Sequence, residues 1–189
     1  GASDVSPSIG PPGDDVTFNA GSTVQTVDLG IDRTVNSITF GANYTLQGST
    51  LSISNGDVIV SPHVVANIDA DLTSDVDLTK LGDGTLVISG TAKDIVVDTG
   101  TLVMASAATV QNLTVRNGAT AILNAPVLGD LVTNGRVELG GDSNGNGALN
   151  VTDIDFLFSR IPASVPQVYP RFDLVADNLV DHQDVNELV

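Results

Sequence analysis

Apolar and polar residues alternate in short runs along most of the chain. Thr85-Leu86-Val87-Ile88 and Arg136-Val137-Glu138-Leu139 show the period of two that half-buried strands require. Four segments superimpose: DLTKLGDGTLVIS from Asp77, DIVVDTGTLVMAS from Asp94, NLTVRNGATAILN from Asn112 and DLVTNGRVELGG from Asp130. Each opens on Asp or Asn, continues with Leu or Ile, reaches a turn and resumes as a second apolar strand. The turns are Asp83-Gly84, Thr99-Gly100, Asn117-Gly118 and Asn134-Gly135, with glycines 16, 18 and 17 residues apart. GSTLSISNG from Gly48 fits the same phase, 36 residues or two periods before Gly84, and VVANIDA (64–70) fills the coil between them.

Asn-Gly and Asp-Gly between apolar strands also signal hairpins, so an antiparallel sandwich is the alternative. A fixed period near 17 favours coils that stack on one another and bury each apolar face against the next. The predicted fold is mainly β: a parallel β-helix (β-solenoid) with coils of about 17 residues over residues 16–140. Its inward rows should contain Leu86, Leu102, Ala119 or Thr120, and Val137, give or take one position. Upstream, Val16, Phe18, Val24, Val27, Leu29, Ile31, Val35, Ile38 and Phe40 continue the pattern with looser spacing and predict the first coils or an N-terminal cap.

After Gly140 the period changes. In VTDIDFLFSRI (151–161), Ile154, Leu157, Phe158 and Ile161 recur at i, i+3, i+4 and i+7, which predicts a helix that Pro162 stops.

Composition agrees with thin repetitive β-structure rather than a bulky centre: 41% hydrophobic, only 4% aromatic, no Trp and 19 Gly. The chain has no Cys, which excludes disulfides, thiol catalysis and cysteine metal sites. A formal charge of −16 repels a phosphate backbone, so nucleic acid is excluded as a partner. No apolar run approaches a membrane span. Residues 1–15, GASDVSPSIGPPGDD, read as an extended lead-in, either the end left by signal removal or a cloning remnant.

The same acidity suits a cation. Taking Asp142 as position 1 of a twelve-residue calcium loop, Asn144, Asn146 and Asp153 fall at positions 3, 5 and 12. Ala148 at position 7 offers its carbonyl, and Asn150 at position 9 acts through water. Gly147 permits the sharp turn, and Leu149 pins the loop to a core. A second loop starts at Asp173, with Asp177 and Asp184 at positions 5 and 12 and the Leu179 carbonyl at position 7. Val175 at position 3 has no side-chain oxygen, so this second site is degraded or water-assisted. Two loops sharing acids at both ends and a hydrophobe at position 8 point to Ca2+.

Other chemistry is sparse. His63 and His182 are far apart in sequence, and His63, after Pro62, reads as a surface turn residue. Arg33, Lys80, Lys93, Arg116 and Arg136 are scattered, which offers no grip for a sugar chain and no catalytic constellation. The expectation is a protein that is not an enzyme.

Residues 35–60 and especially LTKLGDGTLVISG (78–90) resemble the autotransporter-associated β-strand repeat, with its core of the form LTKxGxGTLxLSG. That resemblance implies a right-handed parallel β-helix in a large secreted surface protein and brings no catalytic residues. Residues 141–189, with Asp rather than Glu at position 12 and no entering helix, resemble dockerin modules. This implies a small α-helical, EF-hand-like module that folds on calcium and binds a cohesin-like partner. The partner-facing positions are Val151, Thr152, His182 and Gln183, which lack the Ser-Thr pair common in cellulosomal dockerins. The chain stops within the second expected helix, as a truncated or processed chain would.

The expected function is that of a secreted structural component of the bacterial cell surface. A calcium-binding module caps and stabilises its solenoid, and the protein mediates adhesion or assembly with a cohesin-like partner, a copy of itself or a surface glycan. A self-assembling extracellular fibre subunit and a glycan-active β-helix are the alternatives.

Overall fold

Short runs rich in Val, Ile, Leu and Thr, separated by Asx-Gly turns, have strand propensity but no helical face. In the computed structural model, which describes residues 13–19, 25–140 and 152, they form strands throughout. The first coil contributes β1 (Asp15–Phe18), β2 (Thr26–Asp28) and β3 (Arg33–Val35). The second contributes β4 (Ser37–Phe40), β5 (Tyr44–Gln47) and β6 (Leu51–Ile53), and the third β7 (Asp57–Val60), β8 (Val65–Ile68) and β9 (Leu72–Thr73). Then follow β10 (Leu78–Leu81) with β11 (Thr85–Ile88), and β12 (Thr91–Val97) with β13 (Thr101–Met104). The last described pairs are β14 (Thr109–Val115) with β15 (Thr120–Leu123), and β16 (Leu131–Thr133) with β17 (Arg136–Leu139).

These strands make two seven-stranded sheets, β1-β4-β7-β10-β12-β14-β16 and β17-β15-β13-β11-β8-β5-β2, and a three-stranded one, β3-β6-β9. Strands of one sheet come from successive coils and pair in parallel, from Asp15↔Ser37 to Leu123↔Leu139. The hairpin reading of the Asx-Gly turns is therefore overturned. Each turn carries the chain round a corner into a different sheet, and the pairing partner lies one coil away. The chain is a parallel β-solenoid of about six turns.

The aligned repeat holds in register. Leu78 pairs with Ile95, Ile95 with Leu113, and Leu113 with Leu131, matching the column after each initial Asp or Asn. The expected inward row holds to within one position: it is Leu86, Leu102, Ala121 and Val137, because an extra residue follows Gly118 and Thr120 pairs with Thr101, while Ala119 is buried at the turn. One expectation needs correction: the period of 17 fails upstream. Along the first sheet Val16, Ile38, Val58 and Lys80 are stacked partners at steps of 22, 20 and 22 residues, whereas Lys80, Val97, Val115 and Thr133 follow at 17, 18 and 18.

The shortening has a local cause. The second and third coils enter the first sheet through corners at 54–56 and 74–77, while β12 and β14 run from the third side directly into the first sheet. In β12, Ala92 pairs with Val110 and Asp94 with Asn112, so only Lys93 is left at the corner. Gly48 is accordingly out of phase with Gly84. Gly48 follows β5, Gly84 precedes β11, and the corner matching Gly84 two coils earlier is the turn at 41–43. VVANIDA is β8 with its flanks, one side of the third coil rather than a whole coil.

The core is a filled column. Val35, Phe40, Val60, Ala66, Ile68, Val97, Leu102, Met104 and Val115 have no exposed surface. Phe18 stacks on Phe40 at 5.2 Å and meets Tyr44 at 5.0 Å, so the aromatic residues of the solenoid gather in its first two coils. The expected N-terminal residues Val16, Phe18, Leu29, Val35, Ile38 and Phe40 are buried, whereas Ile31 is exposed in the turn between β2 and β3, and Val24 lies outside the described residues.

Candidate functional site: inter-coil corners and the buried Lys80

Stacking coils brings corner residues of one coil over the backbone of the next, and Asx side chains bridge that step. The Thr50 N–H donates to Asp32 (3.0 Å), the Val65 N–H to Asn43 Oδ1 (2.8 Å), and the Asp130 N–H to Asn112 Oδ1 (2.8 Å). Asp71 accepts both the Thr91 N–H (2.8 Å) and the Thr91 hydroxyl (2.6 Å). Asp15 accepts from Ser37 Oγ and Asn36 Nδ2, both at 2.7 Å. Asp15, Asp32 and Asp71 thus tie coil to coil.

Hydrogen bonds to the ionised form hold two of these carboxyls below the ordinary value of 3.8. For Asp15 the Ser37 hydroxyl acts most, then Asn36; for Asp71 the Thr91 hydroxyl, then its N–H. A carboxyl lowered in the folded state binds fewer protons there than in the unfolded chain. Its stabilisation is complete above about pH 5 and is lost as pH falls through the lowered folded value. The urea midpoint should therefore drop between about pH 5 and pH 3. Asp71→Asn, which keeps the acceptor oxygen but cannot titrate in this range, should flatten that drop; an unchanged acid limb would remove Asp71 from the account.

On the outside of the first sheet, Asp77, Asp94, Asn112 and Asp130 form one column beside Val96, Thr114 and Val132 along an open groove of about 210 Å³. Asn112 sits between the acids, its Nδ2 donating to Asp94 while its oxygen accepts from Asp130. Among the described residues no group of three His, Asp or Glu is arranged to hold a metal ion. Asp142, Asn144, Asn146, Ala148, Asp153, Asp173, Asp177, Leu179 and Asp184 all lie outside the described residues, as does the helix expected after the first loop apart from Thr152.

The described basic residues do not converge. Arg116 pairs with Asp98 one coil earlier, Arg136 with Glu138 at 2.8 Å, and Lys93 with Asp94 at 3.7 Å, all on the surface. Arg33 donates to the Leu29 carbonyl. His63 is exposed in the turn before β8 with φ of 64°, the turn position expected of it. No helix among the described residues is long and apolar enough to cross a membrane.

Lys80 was not expected in the core. It is 1% exposed and stands in the inward row between Val58 and Val97. Its stem runs through the core to the corner, where Nζ donates to the carbonyls of Leu81 (3.2 Å), Thr99 (3.0 Å) and Gly82. Burial pulls its pKa down to about 8, opposed in part by the charge of Asp83. A sequence signal for this existed: in the aligned repeats Lys80 occupies the column filled by Val97, Val115 and Thr133. The site is a structural clamp between the fourth and fifth coils.

The chain matches no family model, and no curated protein or solved structure matches it significantly.

Proposed function

We propose that this chain is a non-catalytic structural segment of a secreted bacterial surface protein. The β-solenoid is its rigid spacer, and residues 141–189 are a calcium-binding, dockerin-like module that stabilises the end of the spacer and takes part in adhesion or assembly. The observation that carries this reading is the continuous, side-chain-filled stack of parallel coils, whose inward rows run from Val16 to Leu139. A column built this way is extended along the coil axis, with strands about 4.8 Å apart, and its contribution is length and surface. The resemblance of LTKLGDGTLVISG to the autotransporter-associated repeat supports the extracellular setting, and the coil is expected to wind right-handed as parallel crossovers do.

Calcium enters through the loop spacings at 142–153 and 173–184. Because such ligands are assembled only in the folded state, binding energy adds to folding stability. In calorimetry, saturating Ca2+ should raise the melting temperature of the C-terminal transition by several degrees and increase the helical signal. Asp142→Ala should abolish most of that gain and Asp173→Ala a smaller part. If EDTA changes neither the melt nor the helical signal, the calcium reading is wrong.

Adhesion takes a cohesin-like receptor or a surface glycan as partner, and pull-down with each distinguishes them. A fibre subunit is the second reading, favoured by β16 and β17, which are the outermost strands of their sheets among the described residues. Filaments in electron micrographs of the purified chain would establish it. Turnover of an acidic polysaccharide would instead revive a glycan-active enzyme.

A further inference from the structure

Five Asn-Gly pairs lie in the chain, and three of them, at Asn55, Asn117 and Asn134, are within the described residues. All three sit at corners of the solenoid, yet the stack holds them differently. The Gly56 N–H donates to the Ile53 carbonyl (3.2 Å), and the Asn55 side-chain amide donates to Asp57 (3.0 Å). The Gly135 N–H donates to the Val115 carbonyl of the coil before it (2.9 Å), as does the Asn134 N–H (2.8 Å). Gly56 and Gly135 also lie against the backbone of a neighbouring coil, where an added Cβ would collide with the carbonyl oxygens of Asp77 and Arg116 respectively.

Asn117-Gly118 stands off the stack. The corner between β14 and β15 spans 116–119, against 98–100 between β12 and β13 and 134–135 between β16 and β17, so it is the longest of the three. Asn117 and Gly118 are both exposed, and a Cβ on Gly118 would meet nothing within 4 Å. Neither the Asn117 side chain nor the Gly118 N–H forms a hydrogen bond among the described residues. The Ala119 N–H donates to the Arg116 carbonyl (3.0 Å) and Gly118 has φ of 87°, which makes a type II turn with the Asn117–Gly118 peptide at its centre. Turning that peptide breaks no hydrogen bond of its N–H.

We propose that Asn117 is a self-modifying site, at which the chain converts its own asparagine to aspartate and isoaspartate while the same dipeptide at Asn55 and Asn134 stays intact. The Gly118 nitrogen gives up its proton to water or hydroxide and attacks Cγ of Asn117. A C–N bond forms, the bond from Cγ to Nδ2 breaks, and the side-chain nitrogen leaves as ammonia. The cyclic imide then takes up one water and opens to either acid. Nothing is oxidised, and the corner gains one negative charge. Glycine suits this role because any side chain there would hinder the attack. Isoaspartate lengthens the backbone by one carbon, and the open space around Gly118 lets the corner take it up without disturbing the stack. At Asn55 and Asn134 the corner must first open, which costs free energy and lowers the rate accordingly.

The test incubates the full chain at one mildly alkaline pH, folded and in urea strong enough to unfold it. Peptide mapping by mass spectrometry follows the amide-to-acid mass change at each Asn. In the folded chain Asn117 should convert roughly tenfold or more faster than Asn55 and Asn134, and in urea the three rates should agree within about twofold. Hydroxylamine, which cleaves a chain at the cyclic imide, should cut the folded protein first after Asn117, and after all three in urea. Asn117→Gln, whose longer side chain closes the ring poorly, should remove both signals at this corner and leave the melting temperature unchanged. Equal rates at the three sites in the folded chain would overturn the proposal. So would an Asn117 excess that persists in urea, because local sequence rather than the corner would then be its cause. Conversion of Asn117 without hydroxylamine cleavage there would overturn the imide route. A fully converted protein that melts several degrees lower would show that the corner does not take up the product.

Discussion

Lys80→Ala should destabilise the solenoid by about 2–5 kcal/mol, among the largest effects of any single side-chain truncation in the chain. Two losses combine. The aliphatic stem fills the inward row between Val58 and Val97, so truncation opens a cavity in a column that cannot collapse along its axis. The ammonium is also the donor that the Leu81, Gly82 and Thr99 carbonyls share at the corner, and its removal leaves three inward-turned oxygens without it. Lys80→Met separates the two, since it retains the volume and removes only the donor, and it should cost less than Lys80→Ala.

The pH dependence gives a second readout of the same site. With a folded pKa of about 8 against 10.5 when exposed, Lys80 binds fewer protons in the folded than in the unfolded chain between those values. Stability should therefore rise as pH increases from about 8 to about 10.5, as the unfolded chain gives up the proton the folded chain has already lost. Lys80→Met should lack that rise. Urea melts at a series of pH values test both points. A Lys80→Ala protein as stable as the parent would mean that Lys80 is not a clamp.

Gly100→Ala should cost about 2–5 kcal/mol, whereas Gly118→Ala at the equivalent turn one coil later should cost only about 1–2 kcal/mol. Both glycines have positive φ, 70° and 87°, so each substitution pays the left-handed backbone penalty. Their surroundings differ. A Cβ on Gly118 would meet nothing within 4 Å, while one on Gly100 would lie 2.5 Å from Lys80 Nζ and 2.6 Å from the Gly84 carbonyl oxygen. Backbone oxygens fixed in the stack cannot retreat as a flexible side chain would, so the fourth and fifth coils must separate or the Lys80 clamp must break. Thermal melts of the two variants side by side test this, at roughly 2–4 °C per kcal/mol for a chain of this size. Equal losses would show that the corner at Gly100 yields.

Legibility in the sequence followed the regularity of the repeat. From Asp77 onward the Asx-Leu openings recur at nearly constant spacing, and the register of Leu78, Ile95, Leu113 and Leu131 could be read directly. Before Asp77 the second and third coils are longer because their corners at 54–56 and 74–77 carry extra residues, and the first because of the connections on either side of β2, and corner length leaves no mark on strand periodicity. That is why Gly48 looked in phase with Gly84 while standing at a different corner. The single extra residue at Asn117-Gly118 shifted the inward row by one for the same reason. Lys80 escaped notice because its charge reads as exposure, although its column in the repeat holds Val97, Val115 and Thr133. The clamp depends on carbonyls from two coils, and the backbone alone supplies them, so no side-chain motif announces it.

By itself the sequence determined the strand content, the stacking repeat and its register in the later coils, because side-chain alternation and turn glycines are local signals that each coil repeats. It also placed a change of period after Gly140 and the oxygen-bearing spacing that follows. Only the tertiary structure decided that Asx-Gly turns lead between sheets rather than into hairpins, and which corner each turn occupies. Only there did Lys80 become a core residue, Asp71 a tie between coils, and Leu131 an exposed partner of the buried Leu113. These are consequences of pairing across one coil, a distance of about 20 residues along the chain but about 4.8 Å in space, and the partner at that distance is set by the summed lengths of the intervening corners.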